Sequence, residues 1–190
     1  MRWNKKFDYP KSIRSTENGI RRYVIGDTKL PSVTSVLDLT RSDEEKAALA
    51  NWRERTGHQA AEAITSAAAS RGSKMHAYLE SFILNRENLS FFDDGEQHKI
   101  MAKQIIEKGL INRLEEVWGV EATLFYPNRY SGTTDAVGIF DGKESIIDFK
   151  QSNKPKKPQY IDSWLLQTAA YSLAHNVVYK SNITACVILV

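Results

Sequence analysis

The chain has 190 residues, enough for one domain with a hydrophobic core and too few for two comfortable ones. Its net charge of +3 permits a polyanionic partner. The single cysteine, Cys186, excludes a disulfide framework, a four-cysteine zinc site and a protein-held iron–sulfur cluster. No apolar run approaches the roughly 20 residues that span a bilayer, and the basic N-terminus lacks the apolar core of a signal peptide. These features predict a soluble cytoplasmic protein without a membrane partner.

The first half of the chain reads as mainly helical. RRYVIG (21–26) and LPSVTSVL (30–37) are interpreted as short strands or an extended lead-in. Ser42 then opens a capping box, with Glu45 at the third helical position, and Gly57 interrupts the helix that follows. The pattern predicts helices over about 42–56, 58–85 and 96–116.

From Val117 the hydrophobic period changes to two, which is typical of strands. The predicted elements are strands in VEATLFY, TTDAVGIF and ESIIDFKQ, a Lys/Pro-rich loop, a helix over about 159–176, and a buried central strand in ITACVILV. This order predicts an α/β fold with a mixed sheet flanked by helices. We interpret residues 1–190 as one domain, with a helical part over about 1–116 and an αβ core over about 117–190.

Asp141-Gly142 is the strongest hairpin signal in the sequence. If these residues form the turn, Phe140 pairs with Lys143, and Asp135 faces Asp148 across the two strands. Directly opposed side chains have Cβ atoms about 4.5–5.5 Å apart, and like charges there are destabilising. Lys150 projects from the same strand face as Asp148 because side chains alternate with period two. The hairpin therefore clusters two carboxylates and an amine on an apolar sheet.

Two interpretations of this cluster are open. One is a surface ion pair between Lys150 and one aspartate, which leaves the second carboxylate uncompensated. The other is a divalent cation site, since carboxylate oxygens suit Mg²⁺ or Mn²⁺, which also bind substrate phosphates. Lys150 would then orient the attacking water or neutralise charge on a phosphoryl oxygen.

The pattern Gly132-Thr-Thr-Asp135, twelve residues, then Asp148-Phe-Lys150 resembles the PD-(D/E)XK nuclease superfamily. The segment RGSKMHAYLE (71–80) is similar to the upstream histidine helix of its RecB-like exonuclease branch. Gln167-Thr-Ala-Ala-Tyr171 matches the Q-x-x-x-Y helix of that branch. LPSVTSVL and the Leu49…Trp52-Arg53 helix further resemble the group of phage-encoded and mitochondrial genome maintenance exonucleases.

The resemblance implies a restriction-endonuclease-like fold and a nuclease that depends on one or two Mg²⁺ or Mn²⁺ ions. The single cysteine excludes an iron–sulfur cluster. It implies catalytic roles for Asp135, Asp148 and Lys150. It implies a metal site formed by His76, Asp135, Asp148 and the backbone carbonyl of Phe149. Weaker candidates for the acidic site or the DNA path are Glu80, Glu121 and Arg71. A bacterial or phage-infected host cell is the implied setting.

The helix after the Lys/Pro-rich loop has two faces. Leu165, Leu166, Ala169, Ala170 and Leu173 are predicted to pack on the sheet. The opposite face carries Tyr160, Trp164, Gln167, Thr168, Tyr171 and His175. Aromatic rings beside a basic loop are typical of surfaces that stack single-stranded nucleic acid. The candidate DNA-binding residues are Gln167, Tyr171, Trp164, Lys154, Lys156 and Lys157.

We therefore expect a metal-dependent deoxyribonuclease, an exonuclease on single-stranded DNA ends in replication, recombination or repair. One alternative is a structure- or sequence-specific endonuclease of the same superfamily. Another is a non-catalytic nucleic-acid-binding protein, although opposed aspartates would repel phosphate in a mere binder. A CRISPR-associated RecB-like nuclease is a third, which Cys186 alone disfavours because those relatives hold a cluster on several cysteines.

Overall fold

The computed structural model describes residues 1–85, 95–158 and 161–190. The strands are β1 (Arg2–Trp3), β2 (Ile13–Glu17), β3 (Ile20–Ile25), β4 (Thr28–Pro31), β5 (Leu114–Tyr126), β6 (Tyr130–Phe140), β7 (Lys143–Phe149) and β8 (Ala185–Leu189). The helices are α1 (Val33–Leu39), α2 (Asp43–Thr56), α3 (His58–Ile83), α4 (Gln97–Ile105), which continues as a π-helical turn (Ile106–Leu110), and α5 (Asp162–Tyr179). In this described part, no helix has the length and apolar character needed to cross a membrane.

The centre of the fold is a five-stranded mixed sheet in the order β1-β5-β6-β7-β8. Strands β5, β6 and β7 are antiparallel to one another, whereas β1 and β8 run parallel to their neighbours. One face packs against α3 and α4 through side chains such as Met75 and Leu79. The other face packs against α1 and α5 through Val33 and Ala174. The predicted α/β class with a mixed sheet flanked by helices is confirmed.

The first 31 residues form strands, and the strand interpretation of 21–26 corresponds to β3. They contain β1 and a separate antiparallel sheet in the order β2-β3-β4. The segment 30–37 is not one strand, since β4 ends at Pro31 and α1 begins at Val33. Ser32 makes the change possible: its Oγ accepts a hydrogen bond from the Ser35 N–H at 3.1 Å and caps the new helix.

The predicted start of the helix after Ser42, which is α2 in the structure, is confirmed in detail. Ser42 Oγ accepts from the Glu45 N–H, and Glu45 Oε2 accepts from the Ser42 N–H, both at 3.2 Å. Gly57 has a φ of 83°, which lies outside the helical region, so α2 ends before this residue and α3 begins after it. The third predicted helix is wrong at its C-terminal end. Residues 114–116 belong to β5, because they pair with the end of β6.

Helix α5 is oriented opposite to the prediction. The side chains of Leu165, Leu166 and Leu173 are about half exposed. The buried residues are Gln167, Thr168, Tyr171, Ser172, Ala174 and His175. This orientation is stable because the buried polar groups find partners inside the fold; Ser172 Oγ, for example, donates to the Ile183 carbonyl at 2.6 Å. Tyr160 lies outside the described residues.

The C-terminal strand also differs from expectation. β8 pairs with β7 alone and lies at the edge of the described sheet, not at its centre. Its residues are partly or fully exposed. An unbroken apolar run is typical of buried strands, but here the apolar composition does not correspond to a central position.

The buried His175 should make the stability of the fold sensitive to acid. The ring is fully buried, and its nitrogens lie 3.0 Å from Tyr9 Oη and 2.7 Å from Ser181 Oγ. Burial, with a small contribution from Lys6, lowers the pKa of His175 to about 4 and outweighs the attraction of Glu144. In the unfolded chain His175 therefore becomes protonated near pH 6.5, whereas in the folded chain it stays neutral until the pH falls to about 4.

We therefore expect the free energy of unfolding to fall by about 2 kcal/mol between pH 7 and pH 5 through this residue. Urea unfolding at both pH values measures it. His175→Gln retains a polar side chain but cannot titrate. In this variant the decrease in the free energy of unfolding between pH 7 and pH 5 should be smaller by about 2 kcal/mol. Equal losses in the two proteins would contradict the assignment.

Candidate active site

The hairpin that carries the two aspartates has the predicted register. Asp141 and Gly142 form a two-residue turn with φ values of 46° and 74°, as the twist of a tight hairpin requires. Paired residues run from Phe140–Lys143 to Ala136–Ile147. Asp135 and Asp148 are next in the same register. The ladder ends at Ala136–Ile147, so the direct opposition of Asp135 and Asp148 stays a prediction.

Glu121 joins them from the other side. On β5, Val120 pairs with Ala136 and Ala122 pairs with Thr134, which places Glu121 opposite Asp135. Its φ of 48° is unusual for a non-glycine residue within a strand. Such strained conformations cluster at functional sites. No register could be predicted for this strand from its pattern, since two irregularities shift the pairing between Leu114 and Gly119.

Asp135 is held from two directions. His76, on α3, has its Nδ1 2.9 Å from Asp135 Oδ1. The other oxygen, Oδ2, accepts a hydrogen bond from the Phe149 N–H. The side chain of His76 is about one-third exposed, while that of Asp135 is nearly buried. The carboxylate is therefore fixed, with one edge of the His76 ring still open towards the cavity.

A second network surrounds Asp148. Its Oδ2 contacts the Lys150 ammonium, and its Oδ1 accepts from Gln167 Nε2 at 3.4 Å. Gln167 Oε1 accepts from Lys150 Nζ at 3.1 Å, and its amide also lies 3.1 Å from Tyr171 Oη. The buried face of α5 therefore fixes the orientation of the lysine.

Both networks open into one cavity of about 540 Å³. It brings together eight of the residues predicted from sequence: His76, Glu80, Glu121, Asp135, Asp148, Lys150, Gln167 and Tyr171. Gly132 permits this arrangement, because a Cβ there would lie 2.6 Å from the Tyr171 ring. The pairing of β5, β6 and β7 and the packing of α3 and α5 against the sheet place these groups within one space.

The negative charges in this cavity disfavour ionisation of the neighbouring carboxyl groups. Partial desolvation, followed by the charge of Asp135, raises the pKa of Glu121 to about 7, although the side chain still has solvent-exposed surface. The same two causes raise the pKa of Asp148 despite the attraction of Lys150. Burial lowers the pKa of His76, but the hydrogen bond and the charge of Asp135 outweigh it, so this pKa is raised. The cavity holds more negative charge than Lys150 can balance.

The residues present fit a divalent cation. Among the described residues, His76, Glu121 and Asp135 offer ligand atoms that all lie within 4.8 Å of one another. Asp148 Oδ2 is buried and makes no hydrogen bond of good geometry. Oxygen-rich donors with one imidazole suit Mg²⁺ and Mn²⁺. This cluster contains Glu121, a weaker candidate from the sequence. The predicted roles of Asp148 and the Phe149 carbonyl as ligands stay predictions.

Some predicted residues lie elsewhere. Trp164, Lys154 and Lys156 line a separate cavity of about 530 Å³ beside β8. Lys157 is exposed. Arg71 does not line the cavity that holds the carboxylates, and its Nε is buried without a hydrogen-bond partner among the described residues. The candidate DNA-binding residues thus form two groups: Gln167 and Tyr171 at the carboxylates, and Trp164 with two of the loop lysines away from them.

The small N-terminal sheet contributes residues to this cavity that were not among the predicted site residues. Arg14 on β2 lines the cavity that holds the carboxylates, together with Arg21 and Tyr23 on β3. The only sequence signal was the alternation of Arg21 and Tyr23, which places both on one strand face. Nothing in the sequence indicated that this face would turn towards Asp135.

The chain is similar to proteins named mitochondrial genome maintenance exonuclease 1. It is 30% identical to the mouse protein over 132 residues (67% of this chain and 38% of the relative). It is 29% identical to the human protein over 174 residues (85% and 48%) and 28% identical to the Xenopus tropicalis protein over 196 residues (97% and 53%). The chain therefore spans about half the length or less of these relatives. No protein-family model matches it.

Proposed function

We propose that this chain is a metal-dependent deoxyribonuclease that hydrolyses phosphodiester bonds at the ends of single-stranded DNA. We further propose that residues 1–190 form one nuclease domain of the RecB-like branch of the PD-(D/E)XK superfamily. The names of the relatives support exonuclease action and a role in maintaining DNA. The proposed setting is the cytoplasm of a bacterial or phage-infected cell.

One observation carries the proposal: Glu121, Asp135 and Asp148 share a cavity with His76 and an oriented Lys150. A structural ion pair needs one carboxylate for one lysine. The additional carboxylates raise the electrostatic cost of the folded state. A site that binds a cation and then a phosphodiester explains why this cost is present.

The roles of the side chains follow from their contacts. A divalent ion in this cavity would lower the pKa of water and neutralise charge on the scissile phosphate. Lys150, held by Asp148 and Gln167, can donate a hydrogen bond to a phosphoryl oxygen or to the attacking water. Gln167 keeps the ammonium in place, and Tyr171 fixes the Gln167 amide. His76 orients the Asp135 carboxylate and lines the cavity.

The experiment compares end-labelled linear single-stranded DNA with a covalently closed circle of the same sequence, each in Mg²⁺ and in Mn²⁺. An exonuclease degrades the linear strand and leaves the circle intact, because it needs an end. Asp27→Asn, a change at an exposed turn position away from the cavity, serves as the control and should retain the wild-type pattern. Cutting of the circle would identify an endonuclease, and binding without cleavage of either substrate would contradict a nuclease.

A further inference from the structure

A second cavity adjoins the catalytic one. Its volume is about 550 Å³, within the range of ligand-binding sites (roughly 300–1,000 Å³). The two cavities share Arg14, Tyr23, Glu121 and Thr133 as lining residues. Glu121 therefore stands between them, and a ligand that fills both would pass beside the carboxylate cluster.

The wall of both cavities is one face of the small sheet. Arg14 pairs with Tyr23 across β2 and β3, so their side chains share a face, and Arg21 shares it because it is two residues from Tyr23. The backbone of Arg21 is fixed at both ends: its N–H donates to Ser35 Oγ, and its carbonyl accepts from the Ser32 N–H, each at 2.9 Å. The basic face is thus held in position, not attached through a loose loop.

The opposite face of the same sheet has a different electrostatic character. Arg22 and Lys29 lie there, and both form ion pairs with Glu17. By contrast, within the described residues neither Arg14 nor Arg21 has an acidic group within 4.0 Å of its guanidinium. Lys11, which lines the second cavity, has none either. Three unpaired cations therefore border a space beside a surplus of carboxylates.

We propose that this basic face is a binding site for the phosphate backbone of the single strand that the catalytic cavity cleaves. In this arrangement Arg14 and Arg21 bind phosphates next to the scissile bond, and the second cavity accommodates the adjoining nucleotide against Tyr23. Guanidinium groups suit this role because they donate paired hydrogen bonds to phosphate oxygens. They also offset the repulsion between Glu121 and an approaching polyanion. The inference rests on the proposed function.

The test measures the binding of a fluorescein-labelled oligothymidylate by fluorescence anisotropy, in EDTA and at several salt concentrations. The double variant Arg14→Gln/Arg21→Gln should bind roughly tenfold more weakly. Its slope of log affinity against log salt should be smaller by about 1.4, since each phosphate contact on a single strand contributes about 0.7. In Mg²⁺ the same variant should raise KM much more than it lowers kcat.

The matched control is Arg22→Gln/Lys29→Gln, which removes the same charge from the other face of the same sheet. Its affinity should stay within twofold of wild type. Equal weakening of both double variants, or unchanged binding by Arg14→Gln/Arg21→Gln, would overturn this inference and leave the proposed nuclease intact. A wild-type protein that binds no oligonucleotide would overturn both. Circular dichroism of each variant distinguishes lost binding from lost folding.

Discussion

Asp148→Asn is expected to reduce DNA hydrolysis by roughly a thousandfold or more without weakening the fold. The substitution retains the shape of the side chain but removes the charge that contacts Lys150 and that the proposed cation site would use. Burial and Asp135 raise the pKa of Asp148 in spite of Lys150. Ionisation of this carboxyl therefore destabilises the folded state at neutral pH.

In EDTA, the melting temperature of Asp148→Asn should consequently equal or exceed that of the wild type. Initial rates on labelled single-stranded DNA and thermal unfolding by circular dichroism test the two halves of this prediction. Asp27→Asn provides the control, with both quantities unchanged. If Asp148→Asn were active, Asp148 would be structural. If the variant were inactive because it melts far below the wild type, its inactivity would say nothing about chemistry.

Gly138→Ala is expected to destabilise the fold by roughly 3 kcal/mol or more. A Cβ at position 138 would lie 2.0 Å from the Glu116 carbonyl oxygen and 3.1 Å from the Val117 Cα. Both are backbone atoms of the neighbouring strand, so no side-chain rotation can relieve the clash. The two strands approach closely here because β5 changes register between Val117 and Gly119.

Gly72→Ala is the control for this substitution. Gly72 lies within α3, and a Cβ there would meet nothing within 4 Å. Alanine should stabilise the helix by up to about 1 kcal/mol. Urea unfolding of both variants gives the comparison. A Gly138→Ala protein as stable as the wild type would show that β5 and β6 can separate locally, and the register that places Glu121 beside Asp135 would then be doubtful.

The carboxylate hairpin could be predicted because its signals are local. Asp141-Gly142 sets the turn, and the turn sets which residues of β6 and β7 are opposite each other. Glu121 could not be placed in the same way. The irregularities in β5 change which side chains face the cavity, and their cause is packing against other elements, such as the Tyr9 ring beside Gly119.

Helix α5 shows a second limit of sequence patterns. Periodicity separates the leucine face from the polar face, but it does not say which face turns inwards. The polar face is buried here because Gln167, Ser172 and His175 each find partners, among them Lys150, the Ile183 carbonyl and Tyr9. Those partners come from distant parts of the chain. The small β2–β4 sheet was predicted only in part: the strand interpretation of 21–26 corresponds to β3, whereas β2 is short, polar and mostly exposed.

The central claim is that the cluster of His76, Glu121, Asp135, Asp148 and Lys150 performs metal-dependent hydrolysis. The most direct test measures nucleotide release from uniformly labelled linear single-stranded DNA by the wild type and Asp148→Asn, each in Mg²⁺, in Mn²⁺ and in EDTA. We predict release by the wild type with either metal and none in EDTA, and we predict release by Asp148→Asn that is slower than the wild type by roughly a thousandfold or more with either metal. Release by the wild type in EDTA, or release by Asp148→Asn at the wild-type rate, would contradict the account.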